Sequence, residues 1–282
     1  MNQQQEDIRE QQKQSWNKFS GGWKKWDAIN MDFIKPAGQA IIAAIKPSGN
    51  QTILDIAGGT GEPGLSIAAM LSGGGKVIIT DLSPDMLAIA KENASGRGIS
   101  NIETIACDVS ALPFPDNSFD AISCRFGFMF FPDMQLAANE MARVLKNGGR
   151  MASSVWNGPD KNFWVMAMMD TINKNIALPP PAPGAPGMFR CAQPGVMKNI
   201  FEQAGFKNIT EKEVAVKMKA GRPDTYWNMM TEVGAPIVAA LSKADEATVQ
   251  KIKTQVFDLL HQEYGEQEIG IEGSAMVISA EK

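Results

Sequence analysis

Histidine and cysteine are scarce in this chain of 282 residues. Only one histidine is present, His261, which excludes a metal site built from several histidines. The three cysteines, Cys107, Cys124 and Cys191, show no CxxC spacing and are odd in number, so neither a disulfide framework nor a zinc site is predicted. Free thiols are typical of a reducing compartment, and we therefore expect a cytoplasmic protein.

Long hydrophobic runs and an excess of basic residues are also missing. No apolar run approaches the length of a membrane span, and the polar residues 1–14 lack the apolar segment of a secretory signal. The 27 basic residues are outnumbered by 31 acidic ones, which argues against a nucleic-acid surface. The hydrophobic fraction of 44% is enough to form a sizeable core.

Residues 50–156 alternate short β-rich runs with helical segments. Ser83 and Asp133 are predicted N-caps of two helices, the second of which runs to about residue 146 before Gly148 stops it. Repeated βα units of this length predict an α/β fold with a doubly wound, mostly parallel sheet. The five predicted strands lie at 53–56, 76–81, 102–108, 119–125 and 151–156.

The segments outside this region carry other patterns. Residues 1–46 are predicted to form a helical cover over the domain of residues 47–282. Helical insertions at about 157–192 and 222–265 are expected to form a lid over the edge of the sheet where ligands bind. The proline-rich stretch 179–186 predicts a stiff, extended connection.

The stretch 55–64, Asp-Ile-Ala-Gly-Gly-Thr-Gly-Glu-Pro-Gly, follows the first predicted strand and precedes a helix. Gly59, Gly61 and Gly64 satisfy the GxGxxG pattern, and Asp81 follows at the end of the second strand. The pattern alone does not separate a nicotinamide dinucleotide from S-adenosylmethionine, because both present an adenosyl group to such a loop. A glycine turn without a ligand is a third interpretation.

Charge favours S-adenosylmethionine over a dinucleotide. Glu62 lies where a pyrophosphate would meet the helix N-terminus, and its carboxylate would repel a phosphate. Pro63 removes one N–H donor, and Asp55 adds a carboxylate at the end of the first strand. S-adenosylmethionine carries a sulfonium and an ammonium and has no phosphate. It is therefore the predicted cofactor, with S-adenosylhomocysteine as its product.

Several stretches together resemble one known family. They are Asp81-Leu-Ser-Pro-Asp-Met-Leu, Cys107-Asp108-Val109, Leu112-Pro-Phe-Pro-Asp-Asn-Ser-Phe-Asp120 and the FFPD at 130–133. This order resembles the class I S-adenosylmethionine-dependent methyltransferases, and more narrowly the group related to the ubiquinone/menaquinone C-methyltransferases (methyltransferase domain type 11). The resemblance implies a Rossmann-like sheet of seven strands with an antiparallel last strand. Two late strands predicted at 209–218 and 274–280, with two helices between 223 and 264, agree with it.

The resemblance also implies a set of donor-binding residues. Asp81 would hold the ribose hydroxyls, Leu82 would pack on the adenine, and Asp108 would accept from the adenine amino group. Trp23, seven residues after another tryptophan, would lie against the sulfonium. Ala57 occupies a position that is often glycine in the family, and we expect only a local adjustment. The full expected set is Trp23, Asp55, Ala57, Gly58, Gly59, Gly61, Asp81, Leu82, Met86, Asp108, Val109, Arg125 and Phe126.

The sequence says less about the acceptor and the catalytic group. Methyl transfer from a sulfonium is an in-line displacement, so alignment of the acceptor matters more than a general base, and no base is evident. The weak catalytic candidates are Arg125, His261, Tyr226 and Glu263, with His261 expected on the exposed edge of its helix. The expected acceptor pocket comprises Trp16, Phe128, Phe130, Phe131 and Trp227.

The predicted function is methyl transfer from S-adenosylmethionine to a small, largely apolar metabolite, on oxygen or carbon. A ubiquinone-type sequence would carry an arginine shortly after Phe126-Gly127, and its absence here argues against a benzoquinone precursor. Two alternatives stay open, a nicotinamide-dependent reductase and a regulator that binds the donor without turnover. Neither nucleic acid nor membrane is expected as a partner, and a homodimer is one option for the assembly.

Overall fold

The computed structural model describes residues 3–179, 182 and 184–282, and these residues form an α/β fold around one seven-stranded sheet. The strands are β1 Thr52–Ile56, β2 Lys76–Asp81, β3 Ile102–Ala106, β4 Phe119–Arg125, β5 Leu145–Trp156, β6 Lys207–Gly221 and β7 Ile269–Glu281. Their order is β3-β2-β1-β4-β5-β7-β6. Strands β1 to β5 are parallel, whereas β7 runs antiparallel to both of its neighbours. The predicted doubly wound, mostly parallel sheet is confirmed.

Helices cover both faces of the sheet and its carboxyl end. They are α1 Gln3–Lys25, α2 Asp27–Ile45, α3 Gly64–Met70, α4 Pro84–Gly96, α5 Met134–Val144, α6 Phe163–Asn175, α7 Val196–Gln203, α8 Pro223–Val233, α9 Ala235–Leu241 and α10 Glu246–Tyr264. Ser83 and Asp133 cap α4 and α5 as predicted, each accepting a backbone N–H of the first turn. No helix of the described part of the chain is long and apolar enough to cross a membrane.

Some predicted boundaries were wrong. The helix expected to run to residue 146 ends at Val144, because β5 begins at Leu145, where it pairs with Phe119. The region 223–264 holds three helices instead of two, since the chain breaks at Gly234 and restarts with a proline in the first turn of α9. In the proline-rich stretch, Pro180, Pro181 and Pro183 lie outside the described residues.

Two apolar clusters fill the faces of the sheet. Alternate residues of β1 point to opposite sides, so Ile53 joins one cluster while Leu54 and Ile56 join the other. In β2, Val77 belongs to the first cluster and Ile78 to the second. Because both faces are covered there, the central strands β1, β2 and β4 are buried along most of their length.

Helix α1 packs between α4 and α8 at the carboxyl end of the sheet. Ser83 Oγ, at the start of α4, donates to Asn17 Oδ1 at 2.5 Å. On the other side, Trp26 Nε1 donates to Glu232 of α8 at 3.0 Å. Gly22 permits this close approach, because a Cβ at that position would lie 2.1 Å from the Glu232 carbonyl oxygen. The amino-terminal helix is thus tied to both sides of the sheet edge that parallel α/β folds use for ligands.

Candidate active site

The glycine loop forms an open turn between β1 and α3. Gly59 and Gly61 have φ angles of 54° and 115°, which glycine adopts without a steric cost. Gly59 N donates to Asp81 Oδ2 at 3.0 Å, and Gly61 N donates to the Gly58 carbonyl at 2.8 Å. A Cβ on Gly59 would meet no atom within 4 Å, so the loop presents its backbone to open space at the strand ends.

Asp55 lies beneath this loop and does not face the cleft. Its side chain is fully buried, with Oδ1 accepting from Ser123 Oγ at 2.6 Å and Oδ2 from Gly64 N at 3.0 Å. Burial raises the pKa of Asp55 to about 7. The expectation that Asp55 lines the donor site was wrong, because β1 is flanked by β2 and β4 and its last turn is covered by the loop. Asp55 braces the loop instead.

Two residues other than glycine adopt the left-handed conformation at the ends of neighbouring strands. Ala57 follows β1 with a φ of 53°, and Phe126 follows β4 with a φ of 58°. The Phe126 ring stacks on Trp156 with centroids 4.2 Å apart, and its N–H donates to the Ser154 carbonyl at 3.0 Å. These contacts hold Phe126 in a conformation that costs about 1–2 kcal/mol for an L-residue.

Replacing Ala57 with glycine should stabilise the fold. Glycine removes the left-handed penalty of about 1–2 kcal/mol but adds about 0.4–1 kcal/mol of unfolded-state entropy, which leaves a gain of about 0.5–1 kcal/mol. Urea unfolding of Ala57→Gly measures it. The matched control is Ala69→Gly on the exposed face of α3, which should lose about 1 kcal/mol. Equal losses of unfolding free energy in both variants would contradict a left-handed penalty at Ala57.

Carboxylates end β2 and follow β3. Asp81 Oδ1 accepts from Ser83 N at 2.8 Å while its Oδ2 accepts from Gly59 N, which fixes the carboxylate toward the loop. Asp108 Oδ1 accepts from Ser110 N at 2.8 Å, whereas its Oδ2 is buried with no hydrogen-bond partner. The Arg9 guanidinium forms an ion pair with that oxygen at 3.7 Å. A buried acceptor without a hydrogen bond is costly, so this oxygen has capacity for a donor from a ligand.

A cavity of about 210 Å³ lies between these strand ends and α1. Its lining includes Leu82, Asp108 and the cations Arg9 and Lys13 of α1. Met86 and Val109 are buried and do not line it. The structure thus gathers at one place two of the residues that the resemblance assigns to the adenosyl end of the donor, Leu82 and Asp108.

The tryptophans of α1 meet the loop that follows β4. Trp16 lies edge-on to Phe130 with centroids 5.3 Å apart and 6.2 Å from Trp23. All three rings are only partly buried, and Trp23 Nε1 has no hydrogen-bond partner. Trp16, Trp23 and Phe130 therefore form an aromatic mouth where α1 crosses the strand ends.

Arg125, the last residue of β4, carries a charge without a close counter-ion. Its Nη2 lies 3.3 Å from the Met31 sulfur, and no carboxylate of the described residues lies within 4.0 Å of its guanidinium. Gly38 of α2 packs against it, with a Cβ at that position 3.8 Å from Nη1. Asp27, the nearby acid on α2, instead accepts from Thr60 Oγ1 at 2.9 Å.

Three of the expected pocket residues are buried in the ligand-free fold. Phe128 is fully buried and packs on Phe201 with centroids 5.4 Å apart, and Phe131 is 8% exposed against Phe128. Trp227 is buried in α8. A 3-10 turn at 128–130 directs Phe128 inward and leaves Phe130 partly exposed, and the pocket role of Phe128, Phe131 and Trp227 stays a prediction.

The catalytic candidates on the late helices are not placed for catalysis. The Tyr226 hydroxyl donates to the Trp164 carbonyl at 2.6 Å, and burial raises the pKa of this tyrosine well above its usual range. Tyr226 is therefore a structural residue. His261 and Glu263 are exposed in the last turn of α10, as expected for His261. The described residues offer no general base among these candidates.

Sequence reasoning missed two buried residues, Asn30 of α2 and Trp156 at the end of β5. Trp156 supports Phe126 and lies between it and Phe33. Asn30 is 5% exposed and its Nδ2 has no hydrogen-bond partner. A polar residue on the apolar face of α2 was the available signal. It was overlooked because one asparagine on a helix is more often solvent-exposed.

The arrangement fits an adenosyl ligand without phosphates. Glu62 forms an ion pair with Arg97 and accepts from Ser66 N at 3.3 Å, so a carboxylate occupies the entrance of α3. Asp81 faces the loop backbone, and Asp108 offers an unpaired acceptor one strand further on. The sheet order, its antiparallel last strand and this cleft define a Rossmann-like fold of the class I S-adenosylmethionine-dependent methyltransferase type.

The comparisons with known proteins agree. Residues 26–162 match the model of the ubiE/COQ5 methyltransferase family. The ubiquinone/menaquinone biosynthesis C-methyltransferase UbiE of Cellvibrio japonicus is 43% identical over 111 residues, which are 38% of this chain and 45% of that protein. The chain thus spans less than half the length of this curated relative. Over that segment the resemblance to the ubiquinone/menaquinone C-methyltransferases is confirmed.

Solved structures share the fold at low sequence identity. The YcgJ protein from Bacillus subtilis superposes with a TM-score of 0.58 at 19% identity, over 87% of this chain and 97% of that one. Phosphoethanolamine N-methyltransferase 2 of Haemonchus contortus, in complex with S-adenosyl-L-methionine, gives 0.55 at 18% identity, over 94% of this chain and 57% of that one. These matches extend the shared fold well beyond residue 162.

Proposed function

We propose that this chain transfers a methyl group from S-adenosylmethionine to a small, largely apolar acceptor, on carbon or oxygen. One observation carries the proposal: the loop backbone and the oriented carboxylate of Asp81 lie one strand away from Asp108, whose buried Oδ2 has no hydrogen-bond partner. The ribose hydroxyls would donate to Asp81, and the exocyclic adenine amine would donate to Asp108. The family match over residues 26–162 supports a methyltransferase over a nicotinamide-dependent reductase.

The donor supplies an activated methyl group on a sulfonium, so the chain's task is alignment. Asp81 and Asp108 would hold the nucleoside end, with Leu82 against the base. Phe126, braced by Trp156, would set the floor beneath the methyl group. Correct alignment is worth roughly 7–11 kcal/mol, which suffices without a general base for an acceptor that is already a good nucleophile.

The acceptor would enter through the aromatic mouth of Trp16, Trp23 and Phe130. Helices α6 and α8 to α10 would act as the lid, and α1 would exclude water from the transfer. Half-buried methionines and phenylalanines near the lid suit an adaptable apolar site, namely Met166, Met169, Met188 and Phe189. Carbon methylation is one option, because the Cellvibrio relative is named a C-methyltransferase. The missing arginine after Gly127 argues against a benzoquinone precursor.

We further propose that the protein works in the cytoplasm with a small-molecule acceptor as its partner. Its three cysteines are free thiols, which suits a reducing compartment. Its acidic balance gives no support for nucleic acid as a partner. A homodimer remains compatible with this proposal and would be read from the molar mass in solution.

Donor binding can be measured by thermal denaturation. S-adenosylhomocysteine at a hundred times its Kd should stabilise the fold by about 2.7 kcal/mol. For a chain of this size, that is a rise in Tm of about 5–10 °C. NADH at the same concentration should leave Tm unchanged. A shift with NADH and none with S-adenosylhomocysteine would favour the reductase instead.

Turnover needs a separate measurement, because a regulator on this fold would also bind the donor. The chain is incubated with isotopically labelled S-adenosylmethionine and a fractionated metabolite extract, and we expect label in an apolar fraction. The control is the same incubation with the donor-site variant Asp81→Ala. Binding of the donor without label in any fraction would support the regulator.

A further inference from the structure

Asn30 is a buried amide whose donor has no partner. The residue is 5% exposed, and its Nδ2 makes no hydrogen bond although the atom is shielded from solvent. Leaving such a donor unsatisfied carries the desolvation penalty of the amide without a compensating hydrogen bond. Its burial among apolar neighbours of α2 gives no packing reason for an asparagine, since Phe33, Ile34 and Ala37 fill the same helix face. The amide therefore calls for an acceptor from a ligand.

The position of Asn30 on α2 shows where that acceptor would lie. Asp27, one turn earlier, bonds to Thr60 of the glycine loop, and the adjacent Met31 touches Arg125. Phe33, one turn later, packs on Trp156, which stacks on Phe126. On a helix of 100° per residue, Asn30 points between the directions of Asp27 and Phe33. It therefore faces the ends of β4 and β5, next to the open side of the loop.

Arg125 supplies a second donor against α2, where it touches Met31, the residue that follows Asn30. Its guanidinium lies against Met31 and Gly38 of α2, and within the described residues no carboxylate comes within 4.0 Å of it. Asp55, Glu62 and Asp27 act on this guanidinium electrostatically. Their hydrogen bonds and ion pairs go elsewhere, Asp55 to Ser123 and Gly64, Asp27 to Thr60 and Glu62 to Arg97. A half-buried cation without a close counter-ion favours an anionic ligand.

We propose that Asn30 and Arg125 together bind the carboxylate of the donor's methionyl group. The inference rests on the proposed function and adds Asn30 to Arg125, which the resemblance already placed among the donor-binding residues. An amide N–H and a guanidinium both donate and cannot accept through those atoms, so their shared ligand must offer two acceptors with negative charge. A carboxylate does so, whereas the ammonium and sulfonium of the same donor would be repelled by Arg125.

The test compares two ligands that differ by this carboxylate, S-adenosylmethionine and decarboxylated S-adenosylmethionine. Isothermal titration gives Kd for each with the wild type and with Asn30→Ala, Asn30→Asp and Arg125→Gln. We expect Asn30→Ala and Arg125→Gln to weaken S-adenosylmethionine binding about 10-fold or more, and Asn30→Asp further, because it opposes a like charge. Binding of the decarboxylated ligand should change less than about 2-fold in Asn30→Ala.

Controls separate this inference from the proposed function. Gln39→Ala, on the exposed side of α2, should bind both ligands like the wild type, and circular dichroism reports whether each variant is folded. If the wild type binds neither ligand, the proposed function fails. If the wild type binds S-adenosylmethionine and a folded Asn30→Ala does so equally well, or loses both ligands equally, the carboxylate assignment is overturned and the proposed function stands.

Discussion

Replacing Asp81 with alanine should weaken the binding of S-adenosylhomocysteine by roughly 1–3 kcal/mol, about 5- to 150-fold in Kd. Two effects act together. The variant loses the acceptor for the ribose hydroxyls, and it frees Gly59 N and Ser83 N, which Asp81 holds at 3.0 Å and 2.8 Å. The loop would then no longer be pre-organised for the nucleoside. Isothermal titration measures the change.

The matched control for this experiment is Asp85→Ala. Asp85 lies four residues away in the exposed first turn of α4. Its replacement removes the same charge as Asp81→Ala without touching the loop. Its Kd should stay within about 2-fold of the wild type. A folded Asp81→Ala with undiminished affinity would remove Asp81 from the donor site and would leave Asp108 as the remaining carboxylate to test.

The second large effect concerns the pH dependence of stability. Burial raises the pKa of Asp55 from 3.8 to about 7, so the folded chain holds a proton that the unfolded chain has released between those pH values. The contribution of Asp55 to the free energy of unfolding is therefore fully present below about pH 4 and is lost as pH rises through 7. The loss is on the order of a few kcal/mol.

Asn at position 55 cannot ionise but can still bond to Ser123 and Gly64. Urea unfolding at pH 5 and pH 8, without ligand, should show that Asp55→Asn loses less stability over this interval than the wild type. The exposed Asp258→Asn serves as the control and should retain the wild-type difference. If the free energy of unfolding depended on pH identically in Asp55→Asn and the wild type, the raised pKa of Asp55 would be refuted.

Local patterns predicted the parallel part of the sheet closely. The bounds 76–81 and 119–125 of β2 and β4 were predicted to the residue, because a buried parallel strand is a continuous apolar run between polar or glycine breaks. The start of β5 was predicted six residues late. Its first part, with Gly148 and Gly149, has no apolar run, and it is strand only because Leu145 pairs with Phe119.

Functional residues were predicted unevenly for a similar reason. Gly59 and Asp81 could be paired in advance because a loop after one strand and an acid ending the next must meet at the same sheet edge. Asp55 belongs to the same stretch of sequence, yet it braces the loop from below. The sequence had no means to show on which side of the turn that carboxylate would lie.

The sequence by itself determined the order of the βα units, the glycine loop and the acidic character of the strand ends, because periodicity and left-handed turns depend on neighbours along the chain. Only the tertiary structure decided which side chains face the cleft. Phe128 enters the core while Phe130 meets Trp16, and Asn30 is buried with an amide nitrogen that has no hydrogen-bond partner. These orientations depend on how α1, α2 and the late helices pack on the sheet. That packing is controlled by residues distant in sequence.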